Sequence, residues 1–350
     1  MKKVALLEFS NGHTEVLYSQ TLFLKRYSYD VHLICDKSHM NRVMDYKTVD
    51  SLYYLDSDTS KYERFLKIKM YLKKENIKLL IINTASWSVI RYLPFMLWNV
   101  EIIGITHGLE KIVKSFSQKL ISLKIKKYFV LSEHLYNQSV KIPNLEFSYF
   151  YASFFQDYPT IALNKKANDF WICIPGQLEY KRRDYLFLIE YLPDNLQDNI
   201  KFIILGSYNH KSGDGVDFKK HLESKNLLKN FIFFDTFIDD NKFHNYIKQS
   251  DILLPLPPSN SRYLNNAISG TFNLAYAHKK LQIMPDEYRD IPDFIDKAIF
   301  CNDENFLEIL LQLITNKAII ADKEKYLNNN LQLSFDYQAQ KYINFLENRL

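Results

Sequence analysis

Short unbroken apolar runs alternate along this chain with longer amphipathic stretches. Residues 3–9, 31–36, 51–55, 78–83, 101–106 and 127–131 read as strands buried on both faces, because parallel strands covered by helices lose their polar alternation. Helix-length segments such as 61–75 and 109–124 lie between them. After a polar, aperiodic stretch at 156–168 the pattern restarts, with strands predicted at 170–174, 201–205, 231–234, 251–256, 281–284 and 298–301. Helices are predicted at 184–191, 216–223, 241–249 and 270–278, and 323–350 reads as mostly helical.

Strand–helix alternation of this kind predicts open parallel sheets with crossover helices. The fold class expected is α/β, with two Rossmann-like doubly wound domains facing an interdomain cleft. Residues 1–155 form the first domain, 156–168 the linker and 169–322 the second domain, and the helical segment 323–350 packs back on the first. Ligands of such sheets bind outside the carboxyl ends of the strands, so functional residues are sought just after strands.

The 350 residues suit two domains. Charge divides unevenly: 1–150 hold 22 Lys and Arg against 14 Asp and Glu, a net +8, while 151–350 hold 23 against 26, a net −3. The basic half favours an acidic partner or is simply a lysine-rich solvated surface. Cys35, Cys173 and Cys301 form no C-x-x-C pair and sit in apolar runs, as reduced buried thiols of a cytoplasmic protein do. No apolar stretch approaches the ~20 residues of a membrane span. The N-terminal apolar run is too short for a signal peptide and is ended by Glu8.

Six segments carry candidate chemistry, four of them at strand ends. Ser10, Asn11, Gly12, His13 and Thr14 make a small loop opening onto a helix, suited to an anionic or hydroxyl-rich ligand or to an ordinary capped turn. His107, within Gly104–Ile105–Thr106–His107–Gly108, stands where a base, acid or hydrogen-bond donor is useful, although a lone His is more often structural. Gly176 followed by Lys181, Arg182 and Arg183 places cations where a diphosphate is neutralised. Cations at a helix start oppose its dipole, which weakens the reading as a mere solvated charge run. Ser269, Gly270 and Thr271 open a late helix and form either a phosphate site or a simple cap. Residues 111–127 carry six lysines and no acid around Ile112, Val113, Phe116, Leu120 and Leu123. That helix either docks on an anionic membrane or buries its apolar face in the core. Asp56–Ser57–Asp58 is a D-x-D that reads more simply as a turn than as a metal site. No dinucleotide fingerprint, Walker A loop, zinc spacing or G-x-S-x-G elbow is present.

The order of these segments resembles the GT-B-fold glycosyltransferases, distantly and in a family-4-like manner. PGQLEYKRRDYLFLIEYL resembles their glycine-then-basic loop and helix, FIILGS their next strand and glycine, and ISGTFNLAYAHKKLQIMP the helix start that receives the donor diphosphate. FIFFDTFIDDNKFHNYIKQSDILLPLPP resembles the strand, helix and apolar strand between them, while FSNGHT, GITHG and YFVLSEH resemble first-domain segments. The resemblance implies a metal-independent transferase with no cofactor, using a nucleotide-diphosphate sugar and a glycan or lipid-linked glycan acceptor in surface polysaccharide synthesis. From the cysteines and the basic stretch 111–127, it is expected to be cytoplasmic and peripheral at the inner face of the membrane, and with no recognised reading motif it is expected to bind no nucleic acid. Lys181, with Arg182 or Arg183, would face the donor phosphates, and Gly176, Ser269, Gly270 and Thr271 would hold the diphosphate. His107 would contact the transferred sugar or acceptor, with Asn11, Gly12 and His13 at the acceptor junction. One departure stands out: the acidic pair of the family-4-like members falls on Asn266 and Leu274, with Asn273, Asp286 and Glu287 as substitutes. A sugar-nucleotide 2-epimerase of the same fold, or a catalytically degenerate nucleotide- or glycan-binding protein, is the alternative.

Overall fold

The computed structural model describes residues 1–10, 13–86, 90–209, 213–258, 264 and 267–349. The chain divides into two compact units, one of Met1–Gln156, Asn265–Ile268 and Leu331–Leu350, the other of Asp157–Leu264 and Ser269–Asn330.

In the first unit β1 (Lys3–Glu8), β2 (Asp30–Asp36), β3 (Ser51–Leu55), β4 (Leu79–Ile82), β5 (Glu101–Ile105), β6 (Lys127–Val130) and β7 (Glu146–Tyr149) form one parallel sheet ordered β3-β2-β1-β4-β5-β6-β7. Its helices are α1 (Glu15–Arg26), α2 (Met40–Val43), α3 (Lys61–Lys74), α4 (Leu93–Met96), α5 (Glu110–Lys114), α6 (Phe116–Lys124) and α7 (Glu133–Ser139). The second unit holds β8 (Phe170–Pro175), β9 (Ile200–Ser207), β10 (Phe231–Phe234), β11 (Ile252–Leu253), β12 (Gln282–Pro285) and β13 (Ala298–Cys301), ordered β10-β9-β8-β11-β12-β13 and also parallel. Its helices are α8 (Tyr185–Tyr191), α9 (Gly215–Ser224), α10 (Asp240–Gln249), α11 (Gly270–His278), α12 (Phe306–Thr315) and α13 (Lys317–Asn329); α14 (Phe335–Leu346) returns to the first unit.

Strand order reverses at β1/β4 and at β8/β11, which makes a switch point in each sheet. The doubly wound α/β expectation holds in both halves. The apolar runs become central strands with both faces covered, such as β1 with Val4, Leu6 and Leu7 wholly buried.

Three boundaries differ from the sequence reading. Residues 157–168 belong to the second unit and are not a free linker. Asn245 on α10 accepts from the Ile161 N–H at 3.1 Å and donates to the Pro159 carbonyl at 2.9 Å, and Lys165 pairs with Asp251 at 2.6 Å. The returning segment starts at Leu331, not 323, because α13 stays with the second unit through Lys280–Glu324 at 2.9 Å. The single helix expected at 109–124 breaks at Ser115, whose extended backbone and hydroxyl cap the Gln118 N–H of α6.

The returning α14 completes the first core. Tyr342 stacks on Phe129 at 4.5 Å, and Gln338 accepts from the Tyr151 N–H at 2.9 Å. Among the described residues no helix is long and apolar enough to cross a membrane. All three cysteines are free and buried, and burial pushes the Cys35 and Cys301 thiols up to about 12.

Candidate functional site

Each switch point carries a cluster of polar groups. In the second unit β8 ends at Pro175, and Gly176 follows with φ 103°, a left-handed backbone open chiefly to glycine. A Cβ there would lie 2.3 Å from Arg183 Nη2, so the same glycine makes room for the guanidinium. Gly206 at the end of β9 is required for a related reason, since a Cβ on it would meet the Gly176 carbonyl oxygen at 2.4 Å. The turn from Gly176 tightens when the Arg182 and Arg183 N–H groups both donate to the Glu179 carbonyl, and Asp184 then caps α8 by accepting from the Phe187 N–H at 3.1 Å.

That turn separates the three adjacent cations. Arg183 points inward and is 8% exposed; it donates through Nη2 to Thr271 Oγ1 at 3.0 Å and through Nη1 to the Gln177 carbonyl at 3.2 Å. Its Nε is buried without a hydrogen-bond partner. Lys181 and Arg182 stay at the surface beside the buried Glu179 carboxylate, at 3.7 and 2.8 Å. The Arg182 contact lacks hydrogen-bond geometry, so it is a charge contact only. Thr271 stands in the first turn of α11, where Ser269 supplies no side-chain cap and Gly270 faces open space. Gly176, Arg183 and Thr271 are therefore one cluster, joined across 88 positions of sequence by the Arg183–Thr271 bond. The amide-bearing start of α11 is left available to an anion.

In the first unit the corresponding cluster is built on Glu8, the last residue of β1 and wholly buried. It accepts from the Ser10 N–H and Ser10 hydroxyl, both at 2.7 Å, from Thr84 Oγ1 at 2.9 Å and from Asn83 Nδ2 at 2.5 Å. Burial pushes its carboxyl above the ordinary range, opposed by these donors. Asn83 extends the network: Nδ2 donates to the His13 carbonyl at 2.8 Å, and Oδ1 accepts from Gln20, whose Oε1 accepts from Tyr342 of α14 at 3.1 Å.

His107 meets this network through its ring. Its Nε2 donates to the Asn83 carbonyl at 2.9 Å, which places the proton on Nε2 and leaves Nδ1 as the acceptor of the neutral imidazole. Burial first, and then the adjacent His13, lower its pKa to about 3. His13 has a left-handed backbone at φ 65° and stacks on His107 at 3.8 Å between ring centroids. On its other side it contacts Glu15 at 3.3 Å. Burial pushes the Glu15 carboxyl up, but its hydrogen bond and charge contact with His13 bring it below the ordinary value.

His13 and His107, 94 positions apart, are thus one stacked pair, while Asn11 and Gly12 lie outside the described residues. Sequence reasoning missed Glu8, Asn83 and Gln20. The available signal was a carboxylate and an amide ending the apolar strands β1 and β4, where water is absent and a polar group needs partners. Gly104 serves packing instead of ligand access, since a Cβ there would lie 2.6 Å from the Tyr128 ring.

The remaining candidates are elsewhere. Asn266 lies outside the described residues, and Leu274 is partly buried against an apolar cluster containing Trp171 and Cys173. Asn273 is buried with Oδ1 unpartnered. Asp286 and Glu287 line a separate pocket of about 470 Å³ in the second unit, which none of the diphosphate candidates lines. Asp56 is held between Lys37 and Lys67 at 3.9 and 3.7 Å.

The neutral His107 has a consequence for stability. An unfolded chain takes up this proton near 6.5 and the folded protein only near 3, so stability falls as pH drops through that window. Glu8 acts with the opposite sign, because its raised pKa gives stability that is full below 4.5 and lost as pH rises through the folded value. The readout is therefore a difference: His107→Asn loses less thermal stability than the unaltered protein between pH 6.5 and 4. Parallel Tm curves for the two proteins would contradict the half-buried neutral imidazole.

No protein-family profile matches the chain, and no curated protein matches it in sequence. Solved structures match over its whole length. A glycosyltransferase from Rickettsia africae ESF-5 aligns at TM-score 0.69 and 14% identity, covering 99% of this chain and 98% of its own. The Anabaena protein HepE, solved in complex with UDP, aligns at TM-score 0.72 and 12% identity, covering 99% and 100%. A protein assigned as a UDP-N-acetylglucosamine 2-epimerase from Listeria monocytogenes aligns at TM-score 0.66 and 12% identity, covering 100% and 97%. The fold is that of the GT-B glycosyltransferases, shared with sugar-nucleotide epimerases.

Proposed function

We propose that this protein transfers a sugar from a nucleotide-diphosphate donor to a hydroxyl of a glycan or lipid-linked glycan, without a metal or a resident cofactor. The observation that carries the reading is the Arg183–Thr271 contact, which ties the cationic turn after β8 to the uncapped start of α11. In this reading the α11 amides and the Thr271 hydroxyl hold the diphosphate, and Lys181 and Arg182 swing from Glu179 onto its outer oxygens. Arg183 is a positioning residue that keeps both segments in place. Charge developing on the leaving diphosphate is stabilised by dipoles and cations already oriented for it. In the first unit His107 Nδ1 accepts a hydrogen bond from a sugar or acceptor hydroxyl, its tautomer set by Asn83. Two of the fold's other members, HepE and MnaA, were solved with UDP, which favours a nucleoside-diphosphate ligand here.

A thermal-shift panel of UDP, GDP, TDP and CMP sugars tests the reading. One diphosphate series is expected to raise Tm by a few degrees, because saturating ligand at ~100 Kd adds about 2.7 kcal/mol to the native state. Lys181→Ala, at an exposed position, should lower transfer by about tenfold or more at unchanged Tm. Loss of donor stabilisation across the whole panel, or full transfer in Lys181→Ala, would remove the assignment. Conversion of a UDP-sugar to its 2-epimer with no acceptor present would transfer the site to the epimerase reading.

A further inference from the structure

The turn from α5 to α6 bears on the two readings of the basic stretch 111–127. A helix of a soluble domain normally turns its apolar stripe to the core. Helix α6 exposes much of its own. Phe116, Leu120 and Leu123 follow the i, i+4, i+7 spacing of one face; Phe116 is 72% and Leu123 63% exposed, and Leu120 is half-buried. The inward face instead carries polar Gln118 and Ser122, which bond the Tyr128 hydroxyl at 3.1 and 3.0 Å, beside Ile121. Val113 of α5 is 52% exposed. Trp98, just after α4, is 75% exposed and adjoins the same helix, since Lys124 Nζ donates to its carbonyl at 3.4 Å and lies 5.7 Å from its ring.

The surroundings of these apolar side chains are basic. Lys111, Lys114, Lys119 and Lys126 are exposed and Lys124 is half-buried, with Glu110 the one acid on the two helices. Exposed aromatic and aliphatic groups on one helix face, ringed by lysines whose stems reach past them, match a bilayer interface in both chemistries: acyl chains for the apolar groups, anionic headgroups for the ammonium groups. A nucleic acid would use the lysines and leave Phe116 and Leu123 in water. A second copy of the same face would oppose lysine to lysine. Lys111, on α5, follows His107 by four residues in the sequence.

We infer that the α5–α6 face, with Trp98, docks the first unit on an anionic membrane surface, inserting Phe116, Leu123 and Trp98 among the headgroups. This inference goes beyond sugar transfer and stands whether or not the second unit binds a nucleotide sugar.

The full chain is tested by co-sedimentation with vesicles of phosphatidylcholine alone and with roughly one-third phosphatidylglycerol, at low and high salt. Binding is expected with the anionic vesicles only, weakening with salt, together with a blue shift of tryptophan emission that Trp98→Phe abolishes. Phe116→Ser/Leu123→Ser and Lys111→Glu/Lys119→Glu should each weaken binding by about tenfold or more. Unchanged Tm in these surface variants confirms that the fold is intact. Three outcomes overturn the inference: no binding to anionic vesicles at low salt, binding unaffected by the Phe116/Leu123 variant with an oligonucleotide bound as well, or a dimer in solution that this variant converts to monomer.

Discussion

Arg183→Ala is expected to cost about 2–4 kcal/mol of stability and to abolish the thermal shift given by the donor. The cost follows from what the guanidinium does. It is a buried cation whose two hydrogen bonds satisfy Thr271 Oγ1 and the Gln177 carbonyl, and it fills the space kept open by the missing Cβ of Gly176. Truncation removes two hydrogen bonds from a charged donor, each worth ~1.5–3 kcal/mol, and leaves a void, although the Gln177 carbonyl keeps its bond from the Glu179 N–H at 3.1 Å. The effect on the ligand is indirect, since the turn after β8 loses its tie to the start of α11. Arg183→Lys separates charge from geometry: it keeps the cation but cannot bond two partners as a fork, so donor binding should be only partly restored. Urea denaturation measures the first effect and donor titration calorimetry the second. Donor affinity unchanged in Arg183→Ala would show that the two segments do not act together.

Glu8→Ala should be the most disruptive single change in the first unit, at about 2–4 kcal/mol, because four donors converge on one buried carboxyl. Its second effect falls on His107. Once Asn83 is released, the carbonyl that holds the Nε2 proton is no longer fixed, and the imidazole exchanges tautomers. Nitrogen chemical shifts of His107 should move from a single Nε2–H form toward a mixture, and transfer should fall further than stability alone explains. Glu8→Gln keeps an oxygen for Ser10 but turns an amide N–H toward Asn83 and Thr84, so it should rescue only part of either effect. A His107 spectrum unchanged in a folded Glu8→Ala protein would dissociate the buried network from the histidine.

The difference between what was legible and what was not follows the range of the interactions. Strands such as Ser51–Leu55 and Ala298–Cys301 and the helix Gly270–His278 were readable to the residue, because apolar period and turn residues act locally. The candidate segments after β8 and before α11 were readable as well, since strand ends and helix starts mark themselves in sequence. That Arg183, and not Lys181, turns inward was not readable, because three adjacent cations look alike until the Glu179–Asp184 turn orients them. The buried Glu8 network was hidden for a related reason. A carboxylate ending a strand reads as exposed until Asn83 and Thr84 are brought to it from 75 and 76 positions away and Ser10 around a tight turn.

The chain's own pattern determined that it would form two parallel α/β sheets, because burial on both faces and helix periodicity are properties of neighbouring residues. Tertiary structure alone decided three further matters: which cation became the buried hub, how His13 and His107 came to share a stack, and that α6 shows its apolar stripe to the outside. Each depends on partners distant in sequence, such as Thr271 for Arg183 and Tyr128 for the polar face of α6, whose competition for the same buried space no local pattern records.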